Sequence, residues 1–389
     1  MRIDVMVKPL MLLLLMAAAS PAVQGAPTLP SGMENPLVLI YPELATATAP
    51  SWLTEGTRAT YSVIASTPES DYSENIEWTT GSSGHGLSQV DVVALEEGVA
   101  ATHTQPYAPD AQGAMRKLVG FGSVVPEGCG DFWASPEVLN GIPEEASDRL
   151  TVQRLPVTIG GEVYQAIRFD YRNEGLEVAL VYDLASGLML YHTMDYKSLG
   201  MDAGVVTSSR STSAIYELKN LRKVKIPWAE GSVPLWLEAG QVYYYQGQSQ
   251  SQIQGAAPVA SPLAVKMSIG SVHDRFAAAR EDPISQDQAP YAKTVYGVAQ
   301  LMGGFIPPEA SSVGTGIVDT DPDTGMRVAV IQNDASGIAV EMTNQVDFRE
   351  VVTYDNSGQL LSIYQEFNPD VITSSGFGSV RVVFVQLVG

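Results

Sequence analysis

The chain has 389 residues, 45% hydrophobic and 17% charged, with a formal net charge of −21 and a pI near 4.5. That acidity excludes nucleic acid as a partner, because phosphates demand a basic face, and the hydrophobic content excludes a disordered acidic tail. The single cysteine, Cys129, rules out an internal disulfide, so stability must come from the size of the core.

Residues 1–25 read as an export signal. Arg2 and Lys8 make a weakly basic start, Leu10 to Ala19 is an apolar run too short to span a bilayer, and small residues follow up to Ala26. The mature protein is therefore expected to be secreted or periplasmic. No later run is long and apolar enough to predict a transmembrane helix. Residues 26–44 read as an N-terminal lead. A first β unit is expected over 45–226, a linker over 227–233 and a second β unit over 234–389.

Period two dominates the first unit. Leu87 to Leu95 and Val99 to His103 flank Glu96-Glu97-Gly98 and predict a hairpin. Ser135 to Leu139, with Pro at the first helical position, predicts one short helix. Val163, Gln165, Ile167, Phe169 and Tyr171 alternate with their neighbours as on a strand. Leu176 to Tyr182 and Leu188 to Met194 flank Asp183-Leu184-Ala185-Ser186-Gly187, a turn with Gly at its left-handed position. Ser213 to Val224 closes the first unit, and Val380 to Val388 closes the second. The expected fold is mainly β: two tandem antiparallel meanders, each a curved half-barrel or closed barrel with at most one or two short helices.

The second unit repeats the first. The pattern P-x-W-L-x-x-G-x4-Y places Trp52 and Tyr61 in one copy and Trp236 and Tyr245 in the other. Val181 to Leu190 resembles Thr353 to Leu361, and Thr207-Ser208-Ser209 resembles Thr373-Ser374-Ser375. Gly122 to Glu127 resembles Gly304 to Glu309, which makes Gly128 to Trp133 an expected insertion in the first copy. The strand, Asp-containing turn and second apolar strand of Val181 to Leu190 and of Thr353 to Leu361 resemble the C-terminal meander of LolA/LppX-like periplasmic lipoprotein-carrier half-barrels. That resemblance implies a curved sheet enclosing an apolar cavity for acyl chains.

Candidate chemistry is sparse. No nucleophile elbow, P-loop or dinucleotide fingerprint is present. His85, His103, His192 and His273 fall in no ligand spacing and read as surface or strand-end residues. Asp319, Asp321 and Asp323 alternate before Gly325, as in a loop that wraps a hard cation. They also suit a plain turn, aligned with Thr158 to Gly161, so calcium is the alternative to no cofactor at all. Phe132 and Trp133 beside Cys129 suggest either an aromatic binding loop or a plug at one end of the barrel. Trp52, Trp236, Tyr243 and Tyr245 are further ligand-facing candidates, with a packed core as the other reading. Lys219, Arg222, Lys223 and Lys225 form a basic cluster that suits a solvated strand end, an anion, or the acidic second unit.

The function expected from these residues is an exported, non-catalytic binding or carrier protein for an apolar or amphipathic ligand such as a lipid. The alternatives are a cell-surface or extracellular structural module and a secreted hydrolase with an unrecognised carboxylate pair. Each half carries its own Trp motif and closing strand, so a fragment 26–230 is expected to fold alone.

Overall fold

The computed structural model describes residues 37–66, 69–73, 76–79, 86–96, 99–106, 132–173, 176–202, 205–253, 257, 259–284, 292–323, 325–345, 348–367 and 377–387. The export signal, Cys129, His85, Gly122 to Glu127 and Thr373 to Ser375 lie outside the described residues.

Period-two segments form two antiparallel sheets, with bulges in several ladders and continuous buried runs within Leu176–Asp183 and Gly337–Thr343. The first sheet comprises β1 (Thr57–Ser66), β2 (Glu69–Ser73), β3 (Ile76–Thr79), β4 (Gly86–Glu96), β5 (Val99–Pro106), β6 (Glu145–Ala146), β7 (Leu150–Ile159), β8 (Glu162–Asn173), β9 (Leu176–Asp183), β10 (Met189–Asp202) and β11 (Val205–Lys223). The second comprises β12 (Val242–Ile253), β13 (Val259–Val272), β14 (Phe276–Pro283), β15 (Ala292–Gly297), β16 (Gly316–Thr320), β17 (Arg327–Asp334), β18 (Gly337–Thr343), β19 (Phe348–Tyr354), β20 (Leu360–Phe367) and β21 (Phe377–Leu387). Helical turns are short: Leu37–Ile40, Pro42–Thr46, Pro136–Gly141 and Pro308–Ser312.

The two sheets follow one plan. The order is β5-β4-β1-β11-β10-β9-β8-β7-β6 in the first and β15-β14-β13-β12-β21-β20-β19-β18-β17-β16 in the second. In each, the last strand returns beside the first, and the path ends at two edges that are adjacent in chain order. Before the second of those edges, residues 132–144 of the first unit and 298–315 of the second cross the end of the sheet as a strap. The strap bridges Trp133 to Leu188 in the first unit and Phe305 to Gln359 in the second. Phe132, Trp133, Leu139 and Ile142 of one strap are buried in its core, as are Leu301, Met302, Phe305 and Ile306 of the other.

This pairing corrects two sequence alignments. Phe132 and Trp133 are not an insertion, because Trp133 and Phe305 bridge corresponding turns. The strand order makes Ser147 to Arg149, between β6 and β7, the counterpart of the turn carrying Asp321 and Asp323, and Thr158 to Gly161 the counterpart of Asp334 to Gly337. Short polar turns resemble one another too closely in composition to fix register.

Segments expected as lead and linker also carry core. Leu37, Val38 and Leu44 are buried against the first sheet. Val224, Ile226 and Trp228 belong to the second core, and Trp228 Nε1 donates to the Gln300 carbonyl at 2.9 Å. Each such side chain contributes about 1.5–3 kcal/mol by leaving water.

Candidate functional site

The duplicated Trp motif meets the duplicated turn. Trp52 Nε1 donates to the Ser186 carbonyl and Trp236 Nε1 to the Ser357 carbonyl, each at 2.9 Å. Inside each turn a carboxylate organises the backbone: Asp183 accepts from the Ser186 amide at 2.8 Å, and Asp355 from the Ser357 amide at 2.8 Å. Gly187 (φ +72°) and Gly358 (φ +85°) then let the straps pass, since a Cβ there would lie 1.9 Å from the Ala134 or Ile306 carbonyl oxygen. Trp52 and Trp236 thus pin a turn to the sheet. Trp236 additionally packs edge-on against Tyr243, ring centroids 5.9 Å apart.

The inner face of the first sheet is aromatic. Phe132 lies 5.1 Å from Tyr61 and 6.2 Å from Tyr216, and Tyr216 stacks on His192 at 5.4 Å and 17°. Tyr61 is fully buried and its hydroxyl donates to the Met189 carbonyl at 2.9 Å. Trp133 is fully buried as well. His192, expected at a surface or strand end, instead lies in this interior. Loss of hydration pushes its pKa down to about 4, yet its ring keeps part of its surface accessible. His273 is exposed and stacks on Phe276 at 4.3 Å.

The inner face of the second sheet carries acids. Tyr243 and Tyr245 alternate inward while Tyr244 points out, 46% exposed. Glu281 follows Ala277 and Ala279 on the inward side of β14, and Tyr296 donates its hydroxyl to Glu281. Burial raises the Glu281 carboxyl above its ordinary value, against the opposing effect of that hydrogen bond. Tyr245 is raised too, first by burial and then by Glu281. Glu350 sits on the buried side of β19 between Phe348 and Val352 and is fully buried, accepting from Gln365 Nε2 at 3.2 Å. Glu350 and Gln365 are register partners across β19 and β20, and the matching partners across β9 and β10 are Val178 and Met194. Sequence reasoning missed His192, Glu281 and Glu350. Their signal was parity: each occupies an inward position of an alternating strand where an apolar residue is expected.

Asp319, Asp321 and Asp323 meet cations of this chain. Asp319 accepts from Arg58 at 3.0 Å and from Arg222 at 2.6 and 2.8 Å. Asp321 pairs with Arg222 at 3.5 Å and accepts from Thr60 Oγ1 at 3.0 Å, and Asp323 accepts from Asn220. Among the described residues no group of three or more His, Cys, Asp or Glu side chains is placed to hold a metal ion. Of the basic cluster, Arg222 joins this contact, Lys219 pairs with Glu217 at 3.1 Å, and Lys223 donates to the Glu55 carbonyl at 3.0 Å. No helix among the described residues is long and apolar enough to cross a membrane.

No family model matches the chain, and no curated protein is similar to it. Among solved structures, a protein of unknown function of the DUF3598 family from Nostoc punctiforme is similar at 10% identity and a TM-score of 0.15, covering 84% of this chain and 95% of that one.

Proposed function

We propose that this is an exported, non-catalytic carrier that holds an apolar or amphipathic ligand against the concave faces of its two sheets. One observation supports the reading above the others. His192 and Glu281 lie deep enough to lose hydration, yet both retain accessible surface. Groups in that position suit the wall of an interior hollow. Phe132 and Tyr216 stand by His192 in the first unit, and Tyr245 and Tyr296 by Glu281 in the second. Each group is an aromatic wall with one polar centre, which is the usual make-up of a small-molecule pocket. The role requires no cofactor.

Native mass spectrometry of protein purified from its source tests the reading directly. A carrier retains a co-purifying lipid-sized mass, and a delipidated sample takes up a fluorescent alkyl probe. Empty protein that binds no alkyl probe overturns it. Concentration-dependent assembly in light scattering, without a ligand, points to the structural-module alternative. Turnover of an ester or polysaccharide abolished by Glu281→Gln or Glu350→Gln points to the hydrolase.

A further inference from the structure

The contact around Asp319 joins the two units, and its construction is specific to that joint. Arg58 and Arg222 are direct cross-strand partners on β1 and β11, and so are Thr60 and Asn220. Two guanidinium groups placed opposite each other repel unless an anion stands between them. Asp319 supplies that anion from the second unit, with Asp321 beside it. The site is nearly dry: Arg58 is 2% exposed and Asp321 1%. Ala59 and Tyr61 face the first core, so Arg58 and Thr60 belong to the opposite, outer face, and the second unit's turn is what covers it.

Neither half of this contact is repeated. The counterparts of Arg58 and Thr60 on β12 are Val242 and Tyr244, which are 42% and 46% exposed. The counterpart of the acidic turn is the three-residue turn Ser147 to Arg149, exposed throughout. A second tie lies nearby, where Arg275 pairs with Glu55 of the first unit and donates to the Gly231 carbonyl at 2.7 Å.

We propose that this cluster is an electrostatic clasp. The long acidic turn holds the two separately cored sheets as one body, and its release leaves each sheet folded but free to swing about the connection that leaves β11. The four clasp charges cancel: two arginines against two aspartates. Asp319→Arg turns that balance into three positive charges against one negative. Adding Arg222→Asp restores two against two.

The test compares full-length wild type, Asp319→Arg and Asp319→Arg/Arg222→Asp. Small-angle scattering of the single variant should show an expanded particle, and trypsin should cut after Lys223, at the junction of the two cores, about tenfold faster. Calorimetry should resolve its single unfolding transition into two, which separates an opened clasp from a misfolded chain. The double variant should return all three readouts toward wild type. Unchanged scattering and cleavage in the single variant overturn the proposal. So does a single transition that merely moves to lower temperature, or a double variant no better than the single one.

Discussion

At the scale of single residues, the interior polar groups govern how stability responds to pH. His192 has a folded pKa of about 4 against an ordinary 6.5. Its neutral form is the one the fold accommodates, so its contribution is intact above pH 6.5 and is lost as pH falls toward 4. The loss is on the order of 2 kcal/mol, because the ring keeps some contact with solvent. Glu281 acts in the opposite sense. Its raised folded pKa means that the fold prefers the protonated acid, so stability falls as pH rises above the ordinary carboxylate value of 4.5. Urea melts across pH 4–8 check both: His192→Leu should flatten the acid limb, and Glu281→Gln should raise stability at pH 7. The sequence carried both residues in plain view. The alternation Ala277, Ala279, Glu281 marks an acid on an apolar face, and Leu190, His192, Met194 marks an imidazole. Neither lies in a recognised motif, and only the parity of the strand discloses them.

Among elements, the most consequential are the straps. Gly358 stands where the second strap crosses the Asp355 turn, and a methyl group there meets the Ile306 carbonyl at 1.9 Å. Gly358→Ala should therefore displace the strap and cost about 2–4 kcal/mol, with Gly187→Ala its equal in the first unit. Trp236→Phe keeps an aromatic ring but removes the hydrogen bond to Ser357 and part of the packing against Tyr243, and should cost about 1–2 kcal/mol, read from the urea midpoint. The Trp and turn motifs were each legible in the sequence because they occur twice. Their contact with each other was not legible, since Trp52 and Ser186 are 134 residues apart. The Asp319 turn was readable as a turn with clustered carboxylates. What it faces depends on Arg58, a lone arginine in a strand that gives no hint of being covered on both sides.

For the whole molecule, the meander class and the doubling of the plan follow from period two and from the repeated motifs. The point at which one core ends and the next begins does not. The sequence ends the first unit at 226 and reads 227–233 as a linker, whereas Val224, Ile226 and Trp228 pack into the second core. A fragment 224–389 should accordingly fold with a cooperative thermal transition, and a fragment 234–389, which lacks Trp228, should not. The expected fragment 26–230 carries Trp228 away from its core and should expose it, which its fluorescence emission maximum reports. Cutting after Lys223 respects both interiors.

The strap also determines where each sheet gives way. Among the described residues, neighbouring strands along each path are joined by ladders of backbone hydrogen bonds, whereas β5, β6, β15 and β16 are path ends, and the strap is held by side-chain packing and an isolated bridge to the turn before β10 or β20. A sheet yields first at its open ends. Amide exchange at β6 and β16 should outpace that at β9 and β19, and on the proposed carrier reading a guest could reach either concave face past those ends without unzipping a strand.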